Sequence, residues 1–239
     1  MNYLLIDSRD RTSSSAGFTD AVFDIKNVPS VTYRKARLVS FAIPNLLYSI
    51  HSDNNKIAFT RSSTNYAATI TPGNYTISQL SSAIATAMNL QDANSYTATY
   101  DANTQKMTIS GSSSFVLDFS LDGTMWRELG FENSTSSSAT SHTGTNYVNL
   151  SPENYVYIQI DEIGTKVLTT RETNYGATFY VPLDVSKGSL VFQSEGNMNQ
   201  IVDISPPKRF DRIRVRILDH TGSIANFHSD WHLYLGLEQ

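Results

Sequence analysis

Apolar and polar side chains alternate along most of the chain, in short runs bounded by turn formers, which is the pattern of half-buried β-strands. The clearest run is Arg212–Leu218: Ile213, Val215 and Ile217 share one face, Arg212, Arg214 and Arg216 the other. Tyr155–Glu162 alternates in the same way, with Val156, Ile158 and Ile160 together. Further strands are predicted at 3–6, 21–25, 36–43 (stopped by Pro44), 46–50, 56–60, 96–100, 106–110, 115–119, 177–183 and 190–193. Trp231, Leu233, Leu235 and Leu237 mark a last one, and Pro206-Pro207 interrupts the chain before Arg212.

Only residues 70–90 repeat at helical spacing. Pro72-Gly73-Asn74 ends the strand before them, Thr76 stands as N-cap, and Gln79 completes the spacing of a capping box. Ile77, Leu80, Ile84, Ala87 and Met88 then fall on one face; Ser78, Gln79, Ser81, Ser82 and Thr86 fall on the other. The spacing predicts an amphipathic helix over 76–89. A short second helix is predicted over 124–129, closed by Gly130 at C′, with Trp126, Leu129 and Phe131 turned inwards. Residues 133–146 are Ser/Thr-rich and nearly free of apolar side chains, so they read as a flexible surface loop. Strand and helix never alternate as a parallel sheet requires. The fold class is all-β, an antiparallel β-sandwich with helical insertions, in a single domain over 1–239.

Composition narrows the function. Hydrophobic residues, at 40%, suffice for a large core, but only 17% of residues are charged, with Ser, Thr, Asn and Tyr in their place. Such surfaces belong to β-proteins of assemblies, and equally to lectins and fibres. A net charge of −4 argues against sequence-independent nucleic-acid binding, and no specific nucleic acid is expected. There is no cysteine, which removes disulfides, thiolate zinc sites and cysteine nucleophiles together. No apolar run approaches a membrane span. Met1–Ile6 is too short for a signal core, so a soluble, cytosolically made protein is expected, with the sequons at Asn74, Asn133 and Asn149 unused.

Candidate chemistry is sparse. Of His51, His142, His220, His228 and His232, only the last two are four apart, without the acidic companion of a helical zinc site. There is no G-x-S-x-G turn and no Gly-rich phosphate loop, and the carboxylates Asp161/Glu162 and Asp118/Asp122 carry no second signal. The expectation is a protein that is not an enzyme, with no cofactor and no metal. Charge concentrates only at Lys208-Arg209 with Arg212, Arg214 and Arg216, a row of guanidinium forks about 6.5–7 Å apart. Two readings stand: a solvated face with cross-strand acidic partners, or an interface gripping an acidic neighbour. Arg9 and Arg11, in the polar arm from Asp7 to Gly17, join the three strand arginines as candidate interface residues.

The order of several motifs carries a resemblance. LLIDSRDRT is followed by IPNLLYSI, PGNYTISQLSSAIATAM, YDANTQKMTI and WRELGF, and the chain closes with DWHLYLGLE. In that order they resemble the penton, or minor capsid, proteins of virophages, polinton-like viruses and related large DNA viruses. The resemblance implies a single jelly roll, assembled as a homopentamer at icosahedral vertices beside the major capsid protein. It also implies a virion location after assembly in the host cytoplasm or a virus factory. At this length the chain is expected to lack a large inserted outer domain. The alternative function is a carbohydrate- or receptor-binding β-sandwich using the aromatics from Tyr147 to Tyr157. A jelly-roll enzyme of the cupin kind would need a cluster of His and carboxylate ligands that the sequence lacks.

Overall fold

The computed structural model describes residues 1–13, 15, 17–26, 30–151, 153–164, 167, 176–193, 200–225, 227 and 229–239. In chain order its elements are β1 (Asn2–Asp7), β2 (Asp20–Asp24), β3 (Tyr33–Pro44), β4 (Lys56–Arg61), β5 (Thr64–Thr69), α1 (Ile77–Asn89), β6 (Tyr96–Asp101) and β7 (Lys106–Leu117). There follow α2 (Trp126–Leu129), β8 (Ala139–Thr143), β9 (Tyr155–Ile160), β10 (Phe179–Pro182), β11 (Leu190–Gln193), β12 (Ile201–Lys208), β13 (Arg212–Leu218) and β14 (His232–Glu238). They fall into two compact units: Met1–Leu47 with Glu153–Gln239, and Tyr48–Pro152.

The first unit is an antiparallel sandwich. One sheet runs β1-β14-β3, with β12 and β11 end to end along the far edge of β3; the other runs β10-β9-β13-β2. The chain crosses between sheets at nearly every connection, and only β9–β10 and β11–β12 stay within one, which makes this a single jelly roll. Period-2 alternation places the core. Leu38, Phe41 and Ile43 from β3 and Leu233, Leu235 and Leu237 from β14 meet Ile213, Val215 and Ile217 from β13 and Val156, Ile158 and Ile160 from β9. Trp231 closes one end: it packs edge-on against Phe23 at 5.9 Å, and its indole Nε1 donates to the Phe18 carbonyl at 2.7 Å.

The second unit is inserted in the sequence between β3 and β9. Its sheet runs β5-β4-β7-β6, with β8 also paired to β7. Helix α1 lays Leu80, Ile84 and Met88 into the same core as Ile57, Phe59, Met107 and Ile109. Its N-terminus is the predicted capping box: Thr76 Oγ1 accepts from the Gln79 amide at 3.2 Å, and Gln79 Oε1 accepts from the Thr76 amide at 2.9 Å. An aromatic row crosses the core, with Phe59 to Tyr96 and Tyr96 to Phe115 each at 5.1 Å and Phe115 to His142 at 4.6 Å. Gly130 has φ +75, as the C′ position demands, and a Cβ there would lie 2.3 Å from the Asn146 carbonyl oxygen.

Several expectations change. Around the predicted helix the chain forms the compact unit Tyr48–Pro152. Within 133–146, read as loop, Ala139–Thr143 form β8 on β7, and hydroxyls take the place of apolar cross-strand pairs: Thr108 with Thr143 and Ser110 with Ser141, each at 2.9 Å. Residues 46–50 form no strand beyond a bridge from Ile50 to Gly73. The runs 106–110 and 115–119 join in the single strand β7, and β5 and β12 were not foreseen. Ser81, placed on the polar face, is buried, its hydroxyl satisfied by the Ile77 carbonyl at 2.9 Å.

Two outcomes follow for the inserted unit. Ile84→Asp places an unpaired carboxylate among core side chains and should destabilise by about 3 kcal/mol or more, whereas Ser82→Asp on the exposed face should be near neutral. Chemical denaturation of both variants measures this. Glu128 is 5% exposed; its Oε1 accepts from Asn54 Nδ2 at 2.9 Å, and its Oε2 has no hydrogen-bond partner among the described residues. Burial pushes this carboxyl above its ordinary pKa. The folded chain therefore keeps the proton to higher pH than the unfolded chain, and stability falls as pH rises between the two values. Glu128→Gln, which keeps the acceptor for Asn54, should flatten that fall. Thermal melts from about pH 4 to pH 8 test it, and an unchanged slope in the variant removes Glu128 as the cause.

Candidate assembly interface

Alternation that buries one face of each sheet of the sandwich presents the other. On the β10-β9-β13-β2 sheet, the register brings every strand arginine beside a carboxylate. Arg212 pairs across to Asp24, Arg216 to Gln159 and Asp20, and Arg214 to Val22. Arg212 Nε donates to Asp24 Oδ1 at 2.7 Å. Arg214 clamps Asp20 with Nε and Nη2, both at 2.7 Å. Arg216 reaches Gln159 Oε1 at 3.1 Å and Asp161 Oδ2 at 2.5 Å. The Arg214 fork holds the Asp20 carboxyl below its usual range, and Asp20 in turn raises Arg214. The arginines point outwards as the alternation predicts, and of the two readings the cross-strand acidic partners are present.

The arm arginines are held as well. Arg9 grips both carboxylate oxygens of Asp7, which keeps that acid down at about 2. Arg11 donates to the Ser8 carbonyl at 2.7 Å, its guanidinium lies 4.2 Å over the Phe18 ring, and Asp230 stands 3.9 Å away. Ser8 is buried: its hydroxyl donates to Asp230 Oδ1 at 2.8 Å and accepts from the Trp231 amide at 3.0 Å. All five candidate arginines therefore have partners inside the chain, and the structure brings three of them onto one sheet face.

The same sheet face turns aromatic towards β10. Tyr155 contacts Tyr157 and Tyr180, both at 5.2 Å between ring centroids, and Tyr180 is 40% exposed. Leu218 and Ala177 pack beneath. The outer face of the opposite sheet carries exposed apolar side chains along its two edges, a second patch divided by β14 and β3. Tyr3 stacks on Tyr234 at 5.3 Å, beside Leu5 at 60% exposure. On the far side of β3, Leu190 and Phe192 lie across from Pro44 and Ala42, and Phe192 is 61% exposed. Sequence reading missed this patch. In β1 and β11 the inward residues Leu4, Ile6 and Val191 are as apolar as their outward neighbours, so no period of two announces which side is which.

The remaining candidates scatter. His51 is exposed near Asp53, His142 is buried against the Phe115 carbonyl at 3.0 Å, and His220 pairs with Glu153; His228 lies outside the described residues. Asp118 accepts from Ser120 and Thr135, and Glu162 from the Arg214 amide at 3.0 Å. Among the described residues no three His, Asp or Glu side chains gather as metal ligands do, and no helix is long and apolar enough to cross a membrane. Tyr147, a candidate for sugar stacking with Tyr155, is exposed in the inserted unit, whereas Tyr155 belongs to the sandwich.

No family model and no curated protein matches the chain. Among solved structures, a chain of the Sputnik virophage cryo-EM structure aligns at 10% identity with a TM-score of 0.48, covering 98% of this chain and 97% of that one. The crystal structure of the mavirus penton protein aligns at 10% identity with a TM-score of 0.54, covering 100% of this chain and 99% of that one. The chain thus has the fold of the mavirus penton protein along its whole length.

Proposed function

We propose that this chain is a penton-type capsid subunit. Five copies form a ring at an icosahedral vertex of the virion, in contact with the major capsid protein, and the role is structural with no catalytic step. The fold and its full-length likeness to a penton protein support this reading. The observation that carries it is the pair of dissimilar apolar patches on the two outer faces of one sandwich: Tyr155, Tyr157 and Tyr180 on one, and Tyr3, Leu5, Leu190 and Phe192 on the other. Unlike surfaces that complement each other make a head-to-tail contact, which closes into a ring when the rotation divides the circle. Tyrosine and leucine at the centre with arginine around them is the composition of an interface core and rim. Arg9, Arg11, Arg212, Arg214 and Arg216 then act at the rim, with N–H donors beyond those their own carboxylates occupy.

The head-to-tail arrangement has a distinctive test. Phe192→Lys spoils one face and Tyr180→Lys the other, so each variant alone should sediment as a monomer under conditions where the parent forms rings visible by negative-stain microscopy. Mixed in equal amounts, the two variants retain one good contact between them and should give a heterodimer and nothing larger. A mixture that stays monomeric shows that the two faces are not partners. Replacing Arg212, Arg214 and Arg216 together by Gln should leave the monomer folded and loosen the ring; the parent ring should also loosen as salt rises. Sedimentation at low and high salt measures both.

A further inference from the structure

We propose that the outer edge of β1 is a strand-addition site, which takes an extended segment of a different polypeptide, uncharged and apolar at alternate positions. The case begins with how the sandwich treats its edges. An open edge strand presents unpaired N–H and C=O groups and invites another chain, so proteins blunt such edges. Here β10 is blunted by Gln200, whose amide mimics a strand: Tyr180 N donates to its Oε1 at 2.8 Å and its Nε2 donates to the Tyr180 carbonyl at 2.7 Å. The arm covers β2, with the Thr12 amide on the Val22 carbonyl at 2.8 Å and Ser15 Oγ on the Val22 amide at 2.9 Å. Strand β12 carries Pro206 and Pro207, which offer no N–H, and β11 has only four residues.

Strand β1 has none of these devices. Its six residues pair with β14 on one side, and among the described residues no group pairs with the other. It exposes Leu5 and, at 54%, Tyr3. Beside this edge lies a cavity of about 390 Å³, lined by Leu4 and Ile6 of β1, Phe23 of β2, and Ile25 and Ile213. An added strand satisfies the open backbone groups and sends every second side chain into that cavity. The rim fixes the charge of the occupant. Asp7 is matched by Arg9 and Asp24 by Arg212, and Asp10 and Lys26 add one charge of each sign, so the charges around the rim sum to zero and a charged strand gains nothing. A second copy fits poorly, because Ile6 of its own β1 is already packed into its own core.

The probe is a fluorescein-labelled heptapeptide of alternating threonine and valine, added to the full chain and followed by anisotropy. We expect saturable binding, weakened roughly ten-fold when alternate amides of the peptide are N-methylated on the bonding edge. Leu5→Lys should weaken it to a similar degree, while Phe192→Lys should leave it unchanged. Hydrogen exchange should slow within residues 2–7 when the peptide is added. Absence of binding, or equal binding of the methylated peptide, overturns the proposal. Protection of residues 2–7 that grows with protein concentration, without peptide, overturns it in favour of a second copy. All of these measurements are made in the Tyr180→Lys background, where the ring contact of the proposed function is spoiled. Ring contacts through Tyr3 and Leu5 therefore do not supply the protection, and the ring and the strand site stand or fall separately.

Discussion

The twelve-residue strand β3 is paired along both edges, with β14 on one and β12 and β11 in succession on the other. Its backbone groups are satisfied only while segments from 190 to 238 hold their register against it. The register is not uniform. A shift between Tyr234 and Leu235 faces Ser40 and Leu38, and this bulge lets Leu38 and Phe41, an odd number of residues apart, both turn into the core. Without it, one of them would emerge on the outer face. That Leu38 and Phe41 both face inwards therefore depends on one irregularity in the β14–β3 pair.

The outer surfaces follow from what those inner faces leave over. On one sheet, the charges are consumed locally: each arginine of β13 has a carboxylate from β2 or from the turn after β9. What such a face offers a neighbour is a neutral, donor-rich surface bordered by tyrosines. Complementarity there rests on shape and aromatic contact, with ionic strength a secondary influence. On the other sheet, Tyr3, Leu5, Leu190 and Phe192 stand exposed on the outermost strands.

Local physics was legible in the sequence, and distant pairing was not. The capping box, the buried stripe of α1 and the inward isoleucines and valines of β9 and β13 follow from spacing alone, because each depends on residues within a few positions. The partners of the arginines did not, since Asp20 and Asp24 stand 194 and 188 positions away from Arg214 and Arg212. Strand β8 was hidden because its cross-strand pairs are hydroxyls, which carry no hydrophobic period. Strand β12 was hidden by its prolines, which signal interruption but are tolerated where an edge has no further neighbour. Strand β5 was missed for a similar reason: it is mostly polar, with only Ala68 fully buried.

The pairing of β1 with β14 sets an order on how the chain matures during translation. Asn2–Asp7 emerge from the ribosome early, yet their partners are residues 232–237, and β3 waits on the same late segment. The inserted unit has no such delay, because α1 and β4–β8 find all their strand partners within Tyr48–Pro152. It can therefore fold while the jelly roll is still a collection of unpaired strands. The nascent chain meanwhile carries an apolar β1 whose two edges are both exposed, a state prone to mispairing between neighbouring ribosomes. Synthesis speed over the last eighty-odd residues, from Glu153 onwards, then bears on yield more than speed over the insertion does.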